Sequence, residues 1–186
     1  MENPRIVPLT SDYWRDLEKL FGPRGACNDC WCMFWRLRGK AWSQRPAQSR
    51  QRGLKKLVDT GNPPGLIAYA DGEPAGWVSL APREDYPRLE HSRALKRIDA
   101  QPVWSVVCFF VAKPYRQSGM MSALLRAAID YARDHGARIL EGYPIEVKEK
   151  LTGDGGYTGV ASTYRKMGFV PAQGNGKNTI MRYEIK

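Results

Sequence analysis

From Phe109 to Leu125 the chain reads FFVAKPYRQSGMMSALL. An apolar run ends at Val111, a short polar connection carries Arg116, Gln117 and Ser118, Gly119 removes a side chain, and an apolar pattern of helical period starts at once. A strand delivered straight into a helix start is an anion site made of backbone. The first N–H groups of a helix have no internal partner and the positive end of its dipole faces outward, so a diphosphate fits there. A phosphorylated cofactor is therefore expected at this turn.

Other residues that could do chemistry are fewer. Cys27, Cys30 and Cys32 cluster in ACNDCWCMFW, and Cys108 stands in a separate apolar run, so no disulfide framework is suggested. Three local cysteines are one ligand short of a structural zinc site, with His91 and His135 the only histidines to complete it. Reduced thiols packed with Trp31, Phe34 and Trp35 and no metal are the expectation. Cys108 has no adjacent histidine to activate it as a nucleophile.

The formal charge of +10 is concentrated. From Arg36 to Lys56 the chain carries Arg36, Arg38, Lys40, Arg45, Arg50, Arg52, Lys55 and Lys56 without an Asp or Glu. This segment reads either as a solvated basic face or as a surface that steers an acidic partner or a nucleic acid, with Trp42 as a stacking residue or a core anchor. The 186 residues, 42% hydrophobic, suffice for one domain with a full core. No apolar run is long enough to cross a bilayer, and the first residues lack the regions of a signal peptide, so a cytoplasmic protein with no membrane partner is expected.

The elements that must position these residues alternate in type. Trp14, Leu17, Leu20 and Phe21 form a helical stripe over 11–21, stopped by Gly22 and Pro23, and a second helix is predicted from Ala47 to Val58. GLIAYA at 65–70 and EPAGWVSLA at 73–81 flank Asp71-Gly72, a hairpin signature. Residues 82–102 read as a long loop with one helical turn around Arg93 to Arg97. VWSVVCFFV at 103–111 is apolar on nearly every position, as a strand buried on both faces would be. Met121, Leu124, Leu125, Ala128, Ile129 and Ala132 mark the next helix, capped by Gly136. RILEGY at 138–143 then pairs parallel with 103–111, because a full helix connects them. A Gly-rich loop, LTGDGGYTG, leads into a short helix at 160–167, Gly168 caps it, and strands follow from Phe169 and from Thr179.

This order, the segment FFVAKPYRQSGMMSALL and the later STYRKMGF together resemble the Gcn5-related N-acetyltransferase superfamily. EGYPI and CWCMFWR are similar to a bacterial branch of it whose substrates are unassigned. The resemblance covers nearly the whole chain. It implies a mixed α/β fold in one domain, with a mostly antiparallel sheet, a parallel central strand pair and flanking helices. The helices over 11–58 would form the acceptor side, 103–143 the cofactor core, and 158–186 the closing helix and strands.

The resemblance further implies direct transfer of an acetyl group from acetyl-coenzyme A to an amine, here a small-molecule metabolite or antibiotic. A protein lysine or an aminoacylated tRNA as acceptor, or a non-catalytic module that senses acyl-coenzyme A or binds nucleic acid, are the alternatives. Phe109, Phe110 and Val111 would offer backbone groups to the pantetheine arm. Arg116, Gln117, Ser118, Gly119, Met120 and Met121 would hold the diphosphate. Met121 departs from the superfamily, which has a small residue there, so its side chain must turn toward the core or lie over the cofactor. Tyr164 stands where the superfamily has its general acid. The base is thinly marked: Glu141 is the nearest acid, with Glu84, Asp85, Glu90, Glu146 or a water chain as substitutes. The resemblance allows a homodimer without requiring one.

Overall fold

The structure is a computed structural model and describes residues 4–44, 46–146, 156–173 and 179–186. Arg45 and most of the Gly-rich loop lie outside the described residues. The strands are β1 (Arg5–Pro8), β2 (Gly65–Ala70), β3 (Glu73–Pro82), β4 (Trp104–Val111), β5 (Ile139–Gly142), β6 (Val170–Gln173) and β7 (Ile180–Glu184). The helices are α1 (Trp14–Phe21), α2 (Lys40–Ser43), α3 (Ala47–Asp59), α4 (Pro87–Glu90), α5 (Met120–Asp134) and α6 (Ala161–Lys166). One seven-stranded sheet has the order β1-β2-β3-β4-β5-β7-β6, antiparallel throughout except for the parallel pair β4 and β5.

Local chemistry accounts for most boundaries. Asp71 and Gly72 both have positive φ, 53° and 79°, as the turn between two right-twisting strands requires. Gly22 stops α1 and Gly136 follows α5, both in the left-handed half of the map. Leu124, Leu125 and Ile129 of α5 are buried against Val78, Leu80, Val106 and Leu140 of the sheet, each worth about 1.5–3 kcal/mol of transfer free energy. On the other sheet face α1 and α3 pack through Leu17, Leu20, Phe21, Leu54 and Val58 onto Ile67 and Trp77.

The structure differs from the sequence reading at three elements, one of them the single-turn α2, which that reading does not contain. Residues 5–8 form an edge strand that Pro4 before it and Pro8 at its end conceal, since prolines read as breakers and only an edge tolerates them. The helical turn of the long loop lies at Pro87–Glu90, not at Arg93 to Arg97. Pro87 opens it, where a missing N–H costs nothing, while Leu95 O is drawn inward to accept from Arg83 Nη2 at 2.6 Å. No helix among the described residues is long and apolar enough to cross a membrane.

Candidate active site

The site starts at an irregularity in β4. Register with β3 jumps between Ser79 and Leu80, whose partners are Cys108 and Val106, which leaves Val107 as an extra residue. This bulge turns both Val107 and Cys108 toward the same apolar cluster, away from α5, whereas Val106 and Phe109 pack on the α5 side. Pairing with β5 covers only Trp104 to Val106, so β4 and β5 part beyond the bulge. A parallel pair that separates leaves one edge of β4 open for a ligand at the carboxyl ends of the strands.

Alternation along β4 decides which of the expected backbone groups that edge offers. Ala112 N–H donates to Ala75 O of β3, so Phe110, two residues earlier, also directs its backbone groups to β3 and not to the open edge. Phe109 and Val111 face the open edge. Phe109 N–H donates to Tyr157 O at 2.6 Å and Val111 O accepts from Arg116 Nε at 3.1 Å. Of the three residues expected to meet the pantetheine arm, Phe110 is thus excluded by strand geometry, and Phe109 would first have to release Tyr157.

The turn after β4 has the form of an anion cradle. Gln117 and Gly119 are left-handed, with φ of 61° and 87°, on either side of Ser118. The N–H groups of Gln117 through Ser122 donate to no acceptor among the described residues. Alternating hand concentrates such N–H groups in a concavity that suits a diphosphate, and α5 adds its dipole. Gln117, Ser118 and Gly119 are exposed, Ser118 Oγ donates to Tyr115 O, and Arg116 keeps its side chain near by. Met120 is buried and Met121 packs against the main core, so the bulky residue at the unusual position turns inward. The residues present therefore fit a coenzyme A diphosphate.

Tyr164, from α6, packs on Phe109 of β4, with ring centroids 6.3 Å apart. It has no exposed surface, and its Oη donates to Thr158 O at 3.3 Å. Burial pushes its phenol well above the ordinary tyrosine range, and Cys108 adds to the effect. Two glycines make its slot: a Cβ on Gly142 would fall 2.0 Å from Tyr164 Cε1, and one on Gly159 would fall 2.8 Å from Cε2. Neither glycine stands out in the sequence, because a glycine at a strand end signals only flexibility until its neighbour is known. Gly142→Ala must expel the ring; overpacking of this kind costs about 1–3 kcal/mol. A thermal melt and a thiol-release assay on Gly142→Ala are expected to show a lowered midpoint together with a loss of turnover; unchanged turnover would remove Tyr164 from the site.

The expected acids are all engaged. Glu141 is buried, with Oε2 accepting from Arg83 Nη1 at 2.9 Å and Tyr143 Oη at 2.8 Å, and Oε1 from Arg182 Nε at 2.8 Å. Glu90 lies between Arg83 and Arg97, and Glu84 pairs with Arg97. Asp85 meets Arg36 at 3.5 Å and Glu146 pairs with Arg165. Glu141 is thus a structural counter-ion whose lone pairs point at cations, and it is not available to take a proton from a substrate. Arg83, Tyr143 and Arg182 are the residues that sequence reasoning missed. A lone acid in a buried strand demands a cation, but 29 Lys and Arg gave no unique partner.

The thiols belong to the packing beside the site. Cys32 Sγ lies 3.7 Å from Cys108 Sγ and accepts from Trp77 Nε1 at 3.0 Å. Its hydrogen bond to Cys108 and burial push the Cys32 thiol well up, and hydrogen bonding to Cys32 does the same for Cys30, so both stay protonated. Among the described residues no group of three or more His, Cys, Asp or Glu side chains is placed to hold a metal ion.

Comparisons with known proteins agree with this architecture. The model of the acetyltransferase (GNAT) family matches residues 27–148. A crystal structure of arylalkylamine N-acetyltransferase 2 from Aedes aegypti is similar over all of both chains, with a TM-score of 0.61 at 14% identity. Another, of "histone acetyltransferase HPA2 and related acetyltransferase" from Corynebacterium glutamicum, covers 99% of this chain and 97% of its own with a TM-score of 0.59 at 19% identity. Ribosomal-protein-alanine N-acetyltransferase from Brucella melitensis gives 0.56 at 17% identity, covering 97% and 99%. No curated protein matches the sequence. At these identities the structures speak for the fold alone, whereas the family model spans most of the chain. With the parting strands, the N–H cradle and the family match all falling on the same residues, the chain belongs to the acetyltransferase (GNAT) family.

Proposed function

We propose that the protein transfers the acetyl group of acetyl-coenzyme A to a primary amine of a small molecule. The observation that supports it most is that two features adjoin the unpaired end of β4: the N–H groups of Gln117 through Ser122, unpartnered among the described residues, follow it, and the buried Tyr164 packs on its Phe109. Acetyl-coenzyme A supplies an acetyl group activated as a thioester. The cradle would bind its diphosphate, and the open edge at Val111 would align its arm.

Tyr164 then has one task. A phenol raised by burial is a weaker acid than a thiol near 8.5, so complete proton transfer to a leaving thiolate is uphill. A hydrogen bond from Oη to the developing negative sulfur is not, and it strengthens as the charge grows. On the acceptor side every candidate carboxylate already pairs with an arginine. In this reading the amine loses its proton to water before attack, and the pH profile belongs to the substrate. The expected kcat/KM rises tenfold per pH unit up to the acceptor's own pKa; a plateau at the same pH for amines of different pKa would instead reveal a base on the protein.

The test of the whole reading is a panel of amines followed by thiol release, beside thermal melts with acetyl-coenzyme A. Ligand at a hundred times Kd should stabilise the fold by about 2.7 kcal/mol. Stabilisation without turnover on any amine would leave an acyl-coenzyme A sensor, and absence of stabilisation would remove the cradle. A macromolecular acceptor is supported only by the basic segment 36–56, and there Arg36 and Arg50 are partly withdrawn from solvent, stacked on Tyr86 at 4.6 Å and on Trp42 at 4.2 Å.

A further inference from the structure

Two segments that the transfer chemistry leaves unused, the 31–42 stretch and α4 with the residues after it, meet in an open depression of about 400 Å³. Phe34, Trp35, Arg38, Arg88 and His91 line it, and no carboxylate among the described residues does. Its aromatic part is ordered by edge contacts, Phe34 to Trp35 at 5.2 Å and Phe34 to Trp42 at 5.3 Å. Phe34 remains 38% exposed, which is unusual for a ring so placed. Over that ring, 4.1 Å from its centroid, sits the guanidinium of Arg88.

Arg88 is fixed in a way that leaves its charge unspent. Its Nε donates to Phe34 O at 2.7 Å and Leu37 O at 3.1 Å, which locks the side chain to the loop. Its two terminal amino groups make no hydrogen bond among the described residues. Arg38 lines the same depression, and its guanidinium enters no ion pair or hydrogen bond among the described residues. The two cations are close enough that Arg38, after burial, pushes Arg88 below the ordinary arginine range. Like charges brought together at a concave surface with no counter-ion among the described residues are repulsive until an anion enters, and a fixed guanidinium beside flat rings matches an anion carried on a planar group. On its inner side Trp35 joins the apolar cluster that contains Val107 and Cys108 of the β4 bulge.

We propose that this depression is the distal part of the acceptor site and selects amines whose far end is a planar ring bearing a carboxylate or phosphate, with Arg38 and Arg88 reading the anion and Phe34 and Trp35 the ring. The proposal rests on the acetyl-transfer reading only for the word acceptor; the binding itself needs no turnover. An anionic aromatic seated there would direct its amine along Trp35 toward the bulge.

The experiment is calorimetry on the coenzyme A-saturated protein with three probes that share a ring and an aminomethyl group: 4-(aminomethyl)benzoate, 4-(aminomethyl)phenyl phosphate and benzylamine. The two probes that carry an anionic group are expected to bind about tenfold or more tightly than benzylamine, the worth of one charge-assisted hydrogen bond. Whichever of the two wins identifies the anion. Arg38→Ala, a surface change, should abolish the difference while leaving benzylamine affinity, coenzyme A affinity and the melting midpoint as they were; Arg88→Gln should do the same at some cost in loop stability. Equal binding of the probes with and without the anionic group, or a difference that survives Arg38→Ala, overturns the proposal. Anion-selective binding without thiol release would defeat the transfer reading alone, and turnover of amines with no preference for the anionic ones would defeat this inference alone.

Discussion

Tyr164→Phe is expected to lower kcat by about a hundredfold or more while leaving the affinity for acetyl-coenzyme A and the melting midpoint almost unchanged. The substitution removes one oxygen from a ring whose packing is otherwise complete: Phe169 meets it edge-on at 4.9 Å and Phe109 at 6.3 Å, with Gly142 and Gly159 against its edges. The hydroxyl donates to Thr158 O at 3.3 Å, which is at the long end for a hydroxyl donor. Little stability should therefore go with it. The loss ought to fall on the leaving group, so thioesters of more acidic thiols should be rescued relative to acetyl-coenzyme A. An unchanged kcat, or a loss equal for all leaving groups, would take the hydroxyl out of the chemistry.

The second large effect concerns stability. Glu141→Ala leaves Arg83, which has no exposed surface, facing Tyr143 Oη with one anion fewer, and strips Arg182 of one of its two acids. Breaking a buried pair on one side costs about 3–5 kcal/mol, or roughly 10 °C in the midpoint of a chain this long. Turnover per folded molecule, measured well below the transition, should stay within about threefold of the parent, because in this geometry Glu141 serves the loop and not the substrate. A fall of about a hundredfold or more in turnover at unchanged midpoint would restore it as a base. Combining Glu141→Leu with Arg83→Met should cost less than the sum of the two, since the second change removes the charge that the first leaves stranded. The same network sets an acid limb. Hydrogen bonds from Arg182 hold Asp99 at about 2, below its ordinary 3.8, so the stability this pair gives is present above about pH 4 and is lost as pH falls from 4 to 2.

Which parts of this molecule could be read beforehand follows from the range of the forces involved. The hairpin at Asp71-Gly72, the stop at Gly22, the cap at Gly136 and the left-handed Gly119 are consequences of a single residue's φ, so the residue type carries them. The burial of α5 follows from its spacing, and the parallel partnership of β4 and β5 from the helix between them. The strand at 5–8 escaped because its signal is four residues long and its stability comes from outside it: β2 supplies the ladder, and Tyr69 stacks under Arg5 at 4.2 Å.

The candidate site divides along the same line. The amino-acid order alone determined the anion cradle, because the cradle is made of consecutive backbone groups and needs only a strand, a glycine and a helix in that order. It also determined where Tyr164 would stand, through the family pattern around it. Only the tertiary structure decided that Phe110 turns its backbone to β3, that Glu141 is consumed by Arg83 and Arg182, and that Arg38 and Arg88 share one depression without an acid. Those are outcomes of strand register and of contacts between residues some fifty positions apart. With 29 basic and 19 acidic side chains available, charge has no address in a sequence until the fold assigns it one.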